Sequence, residues 1–391
     1  MATRTTTTRT TTGACAPSAN SYPACHAEFS FSELVQAYFD CRRTKRNSAS
    51  ALKFELDLER NLVELDAELR SETYKPGRSI CFVITHPKPR EVWAAEFRDR
   101  IVHHLLYNHV STSIHSRFIA DSCACIPGRG TLYGAKRLEE KARSITQDWS
   151  KPAFYLKCDL ANFFVSIDKQ ILGELLTKHI AEPWWRALAH QILFHDSREN
   201  FEQRCGARMM ALVPAHKRLA QQPATHGLPI GNLSSQFFAN IYLNELDQFV
   251  KHQLHARHYI RYVDDFVLLH KSPRWLSDAK EQIEQFLALK LNARLNTSKT
   301  IMQPVRRGID FVGQVILPHR RVTRKRTLTH ALRRIETTPA PQFRDTANSY
   351  FGLLRQASHS HSARLQFARA ILRQGKSVNA EFTKTSQKGA A

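Results

Sequence analysis

Two adjacent carboxylates, Asp264 and Asp265, interrupt the run RYVDDFVLLH (residues 261–270), which otherwise has the composition of buried strand. Apolar strand residues flank the pair on both sides, so the run predicts a hairpin with the acids at its tip. Two charges on a rigid hairpin are either a solvated turn or a metal site. A third acid bears on the choice. Asp159 ends another apolar run, residues 153–158, and comes alongside Asp264 and Asp265 if that run forms a strand beside the hairpin. Carboxylates from distant segments can clamp two divalent cations roughly 3.5 to 4 Å apart, one activating an attacking oxygen and the other stabilising a leaving phosphate. Magnesium prefers hard oxygen ligands and keeps several waters, so two or three aspartates plus substrate phosphates suffice.

The elements that must position these acids follow from periodicity. Residues 31–40 and 50–70 carry apolar side chains at three- and four-residue spacing and predict amphipathic helices. Residues 80–87 predict a strand stopped by prolines, and the stretch from Trp93 predicts a long helix. From 153 to 317 the predicted order is strand, a helical region over 168–194, an irregular basic stretch over 195–225, a helix after Gly231, the hairpin, a helix over 277–290 and two short strands. That order fits a split βαβ arrangement, an antiparallel sheet with helices on one face.

Composition points to the partner. The chain has 391 residues and 42% hydrophobic content, enough for two or three packed units. Against 35 acids stand 57 Lys and Arg, a formal +22, which favours polyphosphate: nucleic acid first, an anionic membrane second. From His319 onward fifteen Lys and Arg face three acids, so more than half of the excess sits in one helical unit suited to gripping a nucleic-acid backbone. No stretch approaches the roughly 18 to 20 apolar residues of a membrane span, and the Thr-rich N-terminus has no apolar signal region. The expectation is a cytoplasmic protein without a membrane partner. The eight cysteines contain no C-x-x-C pair and read as reduced, mostly buried side chains. His103-His104 reads as structural or solvated rather than metal-binding.

The ordered blocks resemble reverse transcriptases. YLKCDLANFFVSID (155–168) resembles polymerase motif A, GLPIGNLSSQFFANIYLNELD (227–247) motif B, YVDDFVLL (262–269) motif C, LNTSKT (295–300) motif D and GIDFVGQVI (308–316) motif E. The blocks PREVWAAEFRDRIVHHL (89–105) and DSCACIPGRGT (121–131) resemble fingers segments, and the resemblance spans roughly residues 50–357. It implies an α+β right-hand polymerase: a disordered tail over 1–27, N-terminal helices and fingers over 28–152, a split-βαβ, ferredoxin-like palm over 153–318 with an insertion at 195–225, and a basic helical thumb and tail over 319–391.

By the same resemblance, Asp159 and Asp264 are direct ligands of two Mg2+ ions, with Mn2+ a substitute. The Leu160 carbonyl assists and Asp265 is the supporting acid. Phe164 lies under the sugar and excludes a 2′-hydroxyl. Lys88, Arg90 and Arg129 are candidates for the triphosphate through charge-assisted bonds, and Lys299 for the departing pyrophosphate. The implied partners are an RNA template, a cDNA or primer strand and deoxynucleotides.

Motif B departs from the commonest pattern. Where most reverse transcriptases read Gln-Gly and end the block Ser-Pro, this chain has Ile230-Gly231 and Ser235-Gln236. That signature resembles the enzymes of diversity-generating retroelements, which make cDNA with errors at template adenines and work with a small basic accessory protein. An isoleucine offers only shape near the nascent base pair, where glutamine offers a hydrogen bond, so base discrimination is expected to weaken. The alternatives are a retron-like or phage-defence reverse transcriptase of ordinary fidelity, and a non-catalytic nucleic-acid-binding protein of the same fold.

Overall fold

The computed structural model describes residues 29–386 apart from 44, 46, 47 and 87. The tail expected over 1–27, with Cys15 and Cys25, lies outside the described residues.

Three N-terminal helices, Phe31–Arg42, Ala49–Glu55 and Leu58–Arg70, precede two strands, β1 (Ser79–Ile84) and β2 (Arg90–Ala95). The helix expected from Trp93 starts later, at Phe97, and runs to His115. Trp93, Ala94 and Ala95 belong to β2, paired with Cys81, Ile80 and Ser79. After the helix Thr131–Ile145 comes β3 (Phe154–Asp159), and helices Lys169–His179 and Pro183–Phe194 follow. The 195–225 stretch is more ordered than its composition suggests. Its short strand β4 (Phe201–Gln203) pairs in parallel with β1, making a sheet ordered β2-β1-β4.

Helix Leu233–Gln248 leads into β5 (Tyr259–Tyr262), β6 (Asp265–His270), helix Pro273–Leu291 and β7 (Ile301–Pro304). These strands form an antiparallel sheet ordered β5-β6-β3-β7. Its β3 is flanked on both sides, so the strand that ends in Asp159 lies next to the one that begins with Asp265.

Both faces of this sheet are covered. Leu156, Cys158, Phe266 and Leu268 pack with Leu276, Ala279, Ile283, Leu287 and Leu291 of the helix Pro273–Leu291, and with Phe237, Phe238, Ile241, Tyr242 and Leu246 of the helix Leu233–Gln248. Tyr155, Ile260, Val267 and Leu269 face the other way, against Leu138, Ala142 and Ile145 of the helix Thr131–Ile145. The double covering explains why FVLL is an unbroken apolar run rather than an alternating one. The helices within 153–317 lie on one face, as their order predicts; the helix on the other face, Thr131–Ile145, comes before β3 in the chain.

The strands β8 (Ile309–Phe311), β9 (Gln314–Leu317) and β10 (Arg320–Thr323) complete that second face as a meander. The basic run at 320–323, expected to open the thumb, is therefore sheet. The thumb helices are Lys325–Thr337, Ala340–Leu354 and His361–Leu372, with their own core of Ile335, Phe343, Phe351, Phe367 and Ile371. Two arginines of the β10 region hold this unit. The Arg324 guanidinium donates to Asp310, and buried Arg321 donates to Gln314, Glu139 and the Gln356 carbonyl, while its own carbonyl accepts from His359 N. At the far end, the His86 ring of the β1–β2 loop lies 5.6 Å from that of His330 in the first thumb helix. Among the described residues no helix is long and apolar enough to cross a membrane. Four of the six described cysteines are buried; Cys125 is exposed and Cys205 half-buried.

Candidate active site

Register brings the three acids together. Asp159 pairs directly with Asp265 across β3 and β6, and Tyr262 pairs with Asp265, so Val263 and Asp264 form a two-residue turn. Val263 has φ +55°, a conformation that a β-branched side chain resists, at a cost of about 1–3 kcal/mol. The turn is pinned to the neighbouring strand end: Leu160 N donates to the Asp264 carbonyl at 3.3 Å. Leu160 also bridges to Leu295, and Asn296 N donates to the Asp159 carbonyl at 2.7 Å, which draws the 295–300 segment over the acids.

The electrostatics are those of crowded carboxylates. Burial, then the neighbouring Asp159, raises the Asp264 carboxyl above its ordinary range, while Lys299 and Arg90 oppose the rise. Burial pushes Asp265 up to about 6, against the opposing pull of Lys157. Lys299 Nζ donates to Asp159 Oδ1 at 2.5 Å, and Lys157 Nζ lies 3.1 Å from Asp265 Oδ2. Each outer acid therefore carries an ammonium partner, and Asp264 has none among its side-chain contacts. Consistent with that division, no set of three His, Cys, Asp or Glu side chains among the described residues converges as a ready-made metal cage. Asp265 Oδ1 is nevertheless buried without a hydrogen-bond partner. The donors are all hard oxygens, so the cluster fits a divalent cation of the Mg2+ type.

The remaining expected residues divide into two groups. One group is assembled by the 227–232 loop. Leu228 N donates to the Phe164 carbonyl, Trp93 N to the Ile230 carbonyl and Ala95 N to Asn232 Oδ1, at 2.8, 2.8 and 3.0 Å. Phe164, Ile230 and Gly231 are thus stitched between palm and β2. Phe163 is buried and Phe164 only partly so, which separates the packing ring from the accessible one. Gly231 has φ +133°, and a Cβ there would stand 2.8 Å from Val92 Cγ1, so glycine is what allows the close approach to β2. On the basic side, Lys88 and Arg90 sit where β1 turns into β2. Burial lowers the Lys88 ammonium, and the nearby cations Lys299, Arg326 and Lys217 lower it further.

The other group is engaged elsewhere. Arg129 Nη1 donates to the carbonyls of Ile119 and Ser122 at 2.8 and 2.9 Å, so it braces its own loop. Gln236 is exposed, and its Oε1 accepts from the Cys125 thiol at 3.3 Å.

Two site residues escaped sequence reading. Lys157 lies diagonally across from Asp265 and also donates to the Asp310 carbonyl at 2.8 Å; its signal was the Lys-x-Asp spacing, which places Lys157 and Asp159 on one face of a strand. Asn296 Nδ2 lies 3.4 Å from Asp159 Oδ1. Lys217 and Arg326, from the insertion and the first thumb helix, also reach the cationic side of the site. His103 is buried and held neutral, its imidazole pushed down to about 3 by burial.

Protein YkfC of Escherichia coli (strain K12) is 23% identical over 325 residues, covering 73% of this chain and 77% of its own. Solved structures to which the chain is similar include a telomerase from Candida albicans in complex with a telomeric RNA fragment, at 12% identity and TM-score 0.45, and an apo telomerase from Candida tropicalis, also at 12% and 0.45. They cover 77% and 67% of this chain, which spans 55% and 59% of theirs. The family model described as reverse transcriptase (RNA-dependent DNA polymerase) matches residues 86–316, a span that runs from the β1–β2 turn through every acid of the site to β9. This chain belongs to the reverse transcriptase (RNA-dependent DNA polymerase) family.

Proposed function

We propose that the chain extends a primer on an RNA template at the Asp159–Asp264–Asp265 cluster, with two Mg2+ ions, and that it is the error-prone enzyme of a diversity-generating retroelement. The observation that carries the site is the β3–β6 register, with Asp159 opposite Asp265 and Asp264 in the adjoining turn. Reverse transcriptases generally use divalent metal ions, and the hard-oxygen donor set suits them.

In this reading Asp159, Asp264 and the Leu160 carbonyl hold the ions, and Asp265 supports them from β6. The ions supply a lowered barrier to deprotonating the primer 3′-hydroxyl and charge stabilisation for the leaving pyrophosphate. The protein's own groups orient and discriminate. Lys88 and Arg90 bind the triphosphate, and Lys299 carries a proton at Nζ beside Asp159, within reach of a departing phosphate. The accessible ring of Phe164 meets the sugar. Ile230, anchored through its carbonyl to Trp93, presents an apolar side chain to the nascent pair. Ile230 and Gln236 support the retroelement reading, which brings with it a small basic accessory protein as partner.

The test is extension of a primer on a defined RNA with Mg2+, comparing wild type with Asp264→Ala and sequencing the cDNA. Extension by wild type and its loss in the variant are expected, with errors concentrated at template adenines and reduced in Ile230→Gln. Equal extension by both proteins would exclude chemistry at this cluster. Unchanged adenine error in Ile230→Gln would refute the role given to that residue.

A further inference from the structure

The strained turn that carries Asp264 is held from beneath by a charge that the sequence does not advertise. Arg261 lies in β5, two residues before Val263, and both it and Asp247 of the helix Leu233–Gln248 are fully buried. All five guanidinium N–H donors are used. Nε and Nη2 donate to the two Asp247 carboxylate oxygens at 2.8 and 2.7 Å, a bidentate pair. Nη2 also donates to Ser122 Oγ at 3.0 Å, and Nη1 to Asn240 Oδ1 at 3.2 Å and to the Val263 carbonyl at 3.0 Å. Asp247 is completed by Tyr259, whose hydroxyl donates at 2.7 Å, and Asn240 donates onward to the Ala124 carbonyl at 2.8 Å. The backbone repeats the connection, since Arg261 N donates to the Asp121 carbonyl and Cys123 N to the Arg261 carbonyl, both at 3.0 Å.

The arrangement is more than core packing because of where one donor goes. The two carbonyls of the turn have separate holders: Leu160 N takes that of Asp264, and Arg261 takes that of Val263. A planar fork held on three sides by Asp247, Asn240 and Ser122 leaves its fifth donor no freedom of direction. The Val263 peptide is fixed in its unfavourable conformation, and with it the direction in which the next side chain leaves the backbone. We propose that Arg261 is a positioning residue for metal binding: through the Val263 carbonyl it sets the orientation of Asp264, and through Asn240 and Ser122 it makes that orientation depend on the seating of the motif B helix and of the 119–130 loop. The inference rests on the reading of Asp159 and Asp264 as the metal-holding acids.

The test measures Mn2+ binding by electron paramagnetic resonance, without polymerisation, and turnover beside it. Arg261→Lys keeps the charge and loses the fork. Folded by circular dichroism, it is expected to bind Mn2+ about tenfold or more weakly, in line with the effect of residues that orient metal ligands. Turnover at saturating deoxynucleotide should fall in parallel, the nucleotide KM should hold within about twofold because the triphosphate groups are untouched, and excess Mn2+ should restore turnover in Arg261→Lys but not in Asp264→Ala. If Arg261→Lys does not fold, Ser122→Ala removes one support, leaves the ion pair, and should weaken Mn2+ binding about two- to threefold. Unchanged Mn2+ affinity in the folded variant, or a turnover loss that excess Mn2+ does not relieve, overturns the proposal. Failure of the wild type to extend any primer would refute the polymerase reading instead, and the Mn2+ comparison would still decide this one.

Discussion

Replacing His103 with Gln should make the protein less sensitive to mild acid. His103 lies in the long helix Phe97–His115, buried against the motif B helix, where Ser234 Oγ and its Nδ1 are 3.4 Å apart. Its ordinary value of 6.5 falls to about 3 in the fold, chiefly through burial and then through Arg100, His104 and His195. The unfolded chain therefore binds the proton first. Stability from this group is complete above about pH 6.5 and is lost as pH falls toward 3. At 1.36 kcal/mol per pH unit in the window where only the unfolded form is protonated, going from pH 7.5 to 5.0 costs about 2 kcal/mol. Gln keeps a polar group for Ser234 and cannot titrate. Urea unfolding of wild type and His103→Gln at the two pH values should show the wild type losing about 2 kcal/mol more than the variant. His258, held down to about 4 by burial, is present in both proteins and cancels. Equal losses would refute the claim that His103 is kept neutral in the fold.

Two further substitutions probe the nucleotide side of the site. Phe164→Val should relax sugar selection, lowering the preference for deoxy- over ribonucleotides in kcat/KM by roughly 10- to 100-fold; an unchanged ratio would return Phe164 to the core. Gly231→Ala forces a Cβ against Val92 and Trp93 at φ +133°, so denaturant unfolding should register a loss of about 1–3 kcal/mol, or the loop should shift and raise the nucleotide KM. A variant with neither change would show that this approach to β2 is not needed.

How much was legible depended on whether the signal was local. The two short strands expected after the helix over 277–290 are β8 and β9 of the meander, and β7 is not among them. The hairpin and the strand ending at Asp159 carry their own apolar runs and acids, so β3, β5, β6 and the acid cluster follow from sequence. β2 does not, because Val92 to Ala95 are all buried, and a short strand buried on both faces lacks the alternation that separates it from a helix. β4 is three residues whose partner lies more than a hundred positions upstream, so nothing near it announces a strand. The Arg-rich strand β10 was expected in the thumb because charge reads as surface, although edge strands often carry it. Lys157 became a partner of Asp265 only once the register was fixed. Arg261 stood beside the acids in plain sequence, and its burial followed only from Asp247, fourteen positions earlier.

The two arginines near β10 bear on how the thumb can move. Arg324 fixes the start of the first thumb helix, and Arg321 fixes the loop at 356–359 between the second and third. Two anchored points define an axis. Any rotation of this unit that keeps both anchors is therefore a rotation about the line joining them, and such a rotation separates the His86 and His330 rings.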